Sequence, residues 1–215
     1  MRYQTAQAAV AEMLRTEILQ GRIPPRTRLL QNDIAERFET STTPVREALR
    51  ELVAEGLLDG DPHRGVVVHQ TSLEELEELY QIRLALEPLM IRATVDAITE
   101  TEIDDAQRLI DAMEGEHDPA AWTDLNAAFH SVLAGAARRP RLGAIIRNLR
   151  NLSALYIATS LQDVPERFEV ANQEHADLLT AIREQDVASA EAITAVHLAH
   201  TLQLGKRHLA PTVEE

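Results

Sequence analysis

The chain has 215 residues, of which 45% are hydrophobic, 26% charged and only 3% aromatic, and its formal net charge is -14. No run of about eighteen apolar residues is present to cross a bilayer, and the start "MRYQTAQAAVAEML" lacks the apolar core and cleavage site of a signal peptide, so a cytoplasmic location is expected. Without cysteine there is no disulfide and any metal site is restricted to nitrogen and oxygen ligands.

Two domains are expected, 1–70 and 71–215, and the charge divides with them. Residues 1–70 hold nine Arg and ten acids, a net -1, whereas the remainder holds twelve Lys or Arg against twenty-five acids, a net -13. A near-neutral module joined to an acidic one suits a protein that meets phosphate only through its first third.

The first helix is predicted over roughly Gln4 to Gln20, with Val10, Met13, Leu14 and Ile18 at helical spacing and Gly21, Pro24 and Pro25 as the stop. A short second helix follows from about Gln31 to Phe38, turning Leu30, Ile34, Ala35 and Phe38 inward. The third, within "TSTTPVREALREL", buries Val45, Ala48, Leu49, Leu52 and Val53. Pro44 falls in its first turn, where its missing N–H costs nothing, and Thr42 or Thr43 is expected to cap it. Two short strands, near Leu57 and at Val66 to Val68, are joined by a turn of Gly60, Asp61, Pro62 and Gly65. Three helices and a hairpin make a winged helix-turn-helix.

From Ser72 onward only helices are read: roughly 72–98 with a kink at Pro88, 101–114 ended by Gly115, 119–137 opened by Asp118 and Pro119, 141–160, 165–184 and 187–208. Ser72 and Glu75 are expected to form a capping box. The fold class is therefore mainly α, an N-terminal winged helix-turn-helix followed by an all-α antiparallel helical bundle.

On the third helix Thr42, Thr43, Arg46 and Arg50 lie opposite the apolar stripe, so docking that stripe turns them outward as a recognition helix would. "L-x-x-D-I-A-E-R-F", followed by "S-T-T-P-V-R-E-A-L-R-E-L-V-A-E-G-L-L" and the hairpin, resembles the GntR family of bacterial transcriptional regulators across nearly all of residues 5–70. The resemblance implies DNA contacts from Ser41, Thr42, Thr43 and Arg46 and from the wing tip, His63, Arg64 and Gly65. Thr42 stands where the family usually has arginine, and Asn32 where some members carry a phosphate-binding arginine. Threonine offers one hydroxyl and a methyl in place of a bidentate grip on guanine, a loss of about 1–3 kcal/mol at that contact.

The second constellation is polarity on apolar faces. Asn126 and His130 lie one turn apart beside Trp122, Phe129 and Leu133; His175 lies among Phe168, Ala171, Leu178, Leu179 and Ile182; His197 shares a face with Ala190, Ile193, Thr201 and Leu204; Arg83 lies beside Leu76, Leu79, Tyr80 and Met90. An unpaired buried polar group costs about 1–3 kcal/mol, so these side chains need partners. Three histidines on three helices, with an amide one turn before the first, point to a divalent metal. The spacing Asn126, His130, His175 within "N-Q-E-H" and His197 within "V-H-L" resembles the ligand-binding FCD domain of the FadR subfamily, of the six-helix VanR-like type, across about 72–208. That resemblance implies Asn126, His130, His175 and His197 as metal ligands, with His200 the rival for the last place, and Arg139 stands where the family often has asparagine.

Three neutral imidazoles and an amide leave a divalent charge uncompensated, so an anion is expected to complete the shell, with Arg83 holding its other end. Arg83 has a competing partner in Glu87, four residues on. The expected protein is a homodimeric regulator, a repressor before an activator, that binds a short palindromic DNA operator and answers to a small carboxylate at zinc or nickel. The alternative is a metal-dependent enzyme built on the same three histidines; Glu174 is expected to point off the apolar face and so to offer it no base. A third reading makes the bundle a dimerisation domain alone.

Overall fold

A computed structural model describes residues 5–61, 63–70, 72–161 and 166–209, with side chains described outside 155–167 and 208–209. Gln4 and Pro62, named above in the first helix and the hairpin turn, lie outside the described residues. The chain divides into two compact units, Met1–Thr71 and Ser72–Glu215.

The first unit runs α1 (Ala6–Leu19), β1 (Arg28–Leu29), α2 (Gln31–Arg37), α3 (Thr42–Ala54), β2 (Leu58–Asp61) and β3 (Gly65–Val68). α1 packs on α3, and Val10, Leu14 and Ile18 of α1 and Val45, Leu49 and Leu52 of α3 are buried, on faces set by their helical spacing. Arg15 reinforces the contact: its Nε donates to Glu55 at 2.9 Å and its Nη2 to Glu51 at 3.1 Å. The sheet has three antiparallel strands in the order β1-β3-β2, so the predicted hairpin gains an edge strand at Arg28 and Leu29. Gly60 has φ +112°, and a Cβ there would stand 2.9 Å from the Gly65 carbonyl oxygen, which leaves glycine as the residue that fits the wing. Two expectations fail on geometry. Leu30 is 45% exposed because it is the extended residue before α2 rather than part of its apolar face, and Met13 is exposed on α1.

Among its described residues the second unit has helices as its regular elements: α4 (Leu73–Ala97), α5 (Glu100–Glu114), α6 (Pro119–Ala136), α7 (Pro140–Leu161), α8 (Glu166–Arg183) and α9 (Val187–Leu209). Asp118 caps α6 by accepting from the Ala121 N–H, with Pro119 in the first turn. Ser72 Oγ accepts from the Glu75 N–H at 3.1 Å, and a reciprocal capping box forms at Thr99 and Glu102. α4 continues through Pro88 as a single helix. α9 approaches α4 closely at Gly205, where a Cβ would stand 2.7 Å from Leu76 Cδ2. Across the core, Thr94 Oγ1 lies 2.9 Å from the Leu133 carbonyl oxygen, and Trp122 Nε1 donates to Asn172 Oδ1 at 3.0 Å, tying α6 to α4 and to α8.

Candidate nucleic-acid interface and metal centre

Ser41, in extended geometry, is the N-cap of α3, with Thr42 and Thr43 exposed in the first turn. This corrects the expected threonine cap: both threonines lie inside the helix. Ser41 makes no side-chain capping bond, so three hydroxyls stand at a helix N-terminus where backbone N–H groups and the helix dipole favour phosphate. One turn on, Arg46 is partly exposed with Nε 3.7 Å from Glu47, and Arg50 is exposed, donating to Glu47 Oε1 at 2.7 Å. Such exposed pairs are worth about 0.2–1 kcal/mol and yield readily to a stronger anion. Glu51, by contrast, is taken by Arg15.

The wing comes to the same helix. Arg50 Nη2 lies 2.9 Å from His63 Nε2, and because a guanidinium only donates, that ring nitrogen accepts. His63 and Arg64 are exposed, and Gly65 adopts φ +104° where Arg28 packs within 3.1 Å of the Cβ position. Arg28 also donates to the Arg64 carbonyl oxygen at 3.1 Å, which adds to the wing a cation that sequence reasoning missed. Its only signal would have been the pairing of Arg28 with Val67, and two residues of strand are too short to make a pattern. Asn32 is exposed in the first turn of α2.

In the bundle the ligand nitrogens of His130, His175 and His197 all lie within 4.8 Å of one another. They come from α6, α8 and α9. Ligands of one tetrahedral ion at about 2.1 Å stand about 3.4 Å apart, so side-chain movements of at most about 1.4 Å close the set. His175 is 1% exposed and lies 4.7 Å from the Phe129 ring, 5.1 Å from His130 and 5.0 Å from His197 by ring centroids. Burial, reinforced by Arg150, by the His175 and His197 rings and by Arg83, holds the His130 pKa well below the usual histidine value. A neutral imidazole is the form that ligates. Asn126 Oδ1, one turn before His130, is buried with no hydrogen-bond partner among the described residues, an orphaned acceptor that a cation would satisfy. The donors present thus fit a borderline divalent ion.

The cavity at these rings is lined also by Glu87, Arg150 and Glu174, and its volume is only about 10 Å³. That is the scale of one water or ion, not of an organic acid. Two further residues sit differently from expectation. Arg83 does not line the cavity: its Nε donates to Glu87 Oε1 at 2.7 Å and its guanidinium carbon lies 4.6 Å from the centroid of the Tyr80 ring. Arg150 of α7 lines it instead, donating from Nε to Glu87 Oε1 at 3.2 Å and from Nη2 to Oε2. Burial alone would raise the Glu87 carboxyl, but the guanidinium groups of Arg150 and Arg83 outweigh it and hold the pKa at about 2. Glu174, expected to point away, also lines the cavity, with Oε2 2.6 Å from His197 Nδ1, while His200 lies outside it with a side chain 53% exposed.

Residues 6–68 match the bacterial regulatory proteins of the gntR family, and residues 78–200 match the FCD domain. Over 91% of its length the chain is 30% identical to a protein of Paenarthrobacter nicotinovorans named "Probable D-xylose utilization operon transcriptional repressor", 86% of which is covered. It is 28% identical to the gluconate operon transcriptional repressor of Bacillus subtilis, over 83% of this chain and 76% of that one. Among solved structures, E. coli McbR/YncC has the same fold, with a TM-score of 0.85 at 22% identity, covering 94% of this chain and 98% of that one.

Proposed function

The chain belongs to the GntR family of bacterial regulatory proteins and carries an FCD domain, and from that premise we propose that a small organic acid acting at a divalent metal ion in its C-terminal bundle governs its binding to an operator. The observation that carries this reading is the meeting of His130, His175 and His197, from three helices; Asn126, one turn before His130 on α6, carries a buried orphaned acceptor but does not line the cavity. His130, His175, His197 and Asn126 would hold the ion, with zinc or nickel the best match to three imidazoles. When bound, it supplies positive charge and open coordination positions for an anion. Arg150, on the cavity wall, is placed to take the anion's other end, while Arg83 acts through Glu87.

The small cavity makes the response conformational. An acid enters only if side chains part, and the Glu87–Arg150 pair is the contact across α4 and α7 that an incoming carboxylate competes with. Ligand binding then favours the arrangement of these helices that accommodates it. On their outer faces Ile82 and Leu89 of α4 and Ile145 of α7 are exposed, Leu89 by 56%. These apolar side chains support self-association through α4 and α7, which would pair two recognition helices on a short palindrome. The family and the relatives named above are transcriptional regulators rather than enzymes. Glu174 agrees with that: both its oxygens are engaged by imidazoles, as an orienting group's would be.

The test is a thermal-shift screen of hydroxy acids, sugar acids and neutral sugars on metal-loaded and metal-stripped protein, since a ligand bound only by the folded state raises its stability. Stabilisation by an acid in the metal-loaded protein alone is expected. Stabilisation by a neutral sugar, with no response to any acid, contradicts the reading.

A further inference from the structure

We infer that Glu174 is a positioning residue for the metal centre, one that holds His197 in the Nδ1–H tautomer and so turns its Nε2 lone pair toward the ion. The inference rests on the metal-site reading above. Neighbouring residues on a helix point about 100° apart, so Glu174 and His175 cannot share a direction. Both nevertheless reach the cavity because it lies where α6, α8 and α9 meet. His175 faces Phe129 and His130 of α6, and Glu174 faces α9.

The contact is short and sheltered. Glu174 Oε2 is 2.6 Å from His197 Nδ1, with side chains 11% and 14% exposed, and Oε1 is 2.5 Å from Nδ1 of His200, three residues further along the same face of α9. An ionised carboxylate only accepts, so each imidazole donates through Nδ1. A neutral ring that donates through Nδ1 carries its lone pair on Nε2, and a carboxylate partner makes that lone pair more basic. The same carboxylate brings negative charge close to the ion. His200 does not line the cavity and shares the anchor without being a ligand.

Cobalt(II) titration of metal-stripped, full-length protein by visible absorption tests this, together with long-range proton–nitrogen NMR of the metal-free wild type. Glu174→Leu, which removes the acceptor and keeps the bulk, is expected to weaken cobalt binding about 10- to 100-fold. His200→Leu, which removes the other partner of the same carboxylate, is expected to change it by less than about threefold. The spectrum is expected to show His197 protonated on Nδ1. Wild-type cobalt affinity in Glu174→Leu, or a His197 protonated on Nε2 alone, overturns the role of Glu174 while leaving the metal centre standing. Failure of the wild type itself to bind cobalt overturns the centre and this inference with it. Because the tautomer is read on the wild type, a variant that does not fold cannot hide the answer.

Discussion

The two units present polar side chains in opposite ways. In the first, Thr42, Thr43, Arg50, His63 and Arg64 stand exposed on a small apolar core, and Arg50 is engaged by surface contacts with Glu47 and His63. In the second, His130, His175, Glu87 and Arg150 face inward, and each is fixed by burial or by a close partner. A surface that reads DNA has to exchange its partners for phosphates and base edges, so weak pairing is useful there. A centre that holds an ion has to exclude water and set its ligands beforehand, so the stability of the fold and the affinity of the site are coupled.

Removing Glu87 gives the largest expected effect of that coupling. Glu87→Ala leaves two guanidinium groups facing each other without their carboxylate, and a broken buried pair costs about 3–5 kcal/mol. Denaturation followed by Trp122, the one tryptophan, which is buried in the bundle, reads this directly. The pH dependence has a definite sign. With its pKa at about 2 in the fold against 4.5 ordinarily, Glu87 contributes stability that is present above pH 4.5 and lost as pH falls toward 2. The melting temperature of the wild type is expected to fall through that window, and Glu87→Ala to show a shallower fall.

Next in size is the loss of a ligand. His175→Ala is expected to weaken zinc binding by more than about 100-fold, above the range for a partner outside the ligand shell, as measured by competition with a chelator. Binding to a selected DNA sequence tests the other unit: Arg46→Ala is expected to cost about 1–3 kcal/mol there. Arg50→Ala is expected to lower the slope of log affinity against log salt by about one, whereas zinc affinity in the bundle stays nearly flat with salt. The smallest effect sharpens the contrast on a single hydroxyl. Since Ser41 makes no capping bond, Ser41→Ala is expected to change stability by less than about 0.5 kcal/mol while weakening DNA binding, whereas Thr99→Ala, which breaks a capping box, costs about 1 kcal/mol of bundle stability.

Much of this architecture was legible because its signals are local. Asp118 with Pro119, and Gly115 after Glu114, mark helix ends by chemistry that needs no tertiary partner. Histidines among apolar residues at helical spacing marked the inward faces of α6, α8 and α9. What could not be read was set by packing between elements. Glu174 lies one residue off the apolar face of α8, and only the position of α9 turns that direction into a cavity wall. Arg147 and Arg150 are indistinguishable as a spacing on α7, yet Arg147 is exposed and Arg150 meets Glu87. Arg83 pointed inward as its face required, and the carboxylate four residues along took its charge before the cavity could use it. Arg28 and β1 depended on an edge pairing that two residues cannot announce.

The proposed regulation requires His130, His175 and His197 to hold one ion between them. Anomalous scattering from crystals of zinc-loaded protein, recorded on both sides of the zinc edge, measures this most directly. One strong peak per chain is expected within bonding distance of all three rings. A peak elsewhere, or none at this place in protein that contains zinc, would contradict it.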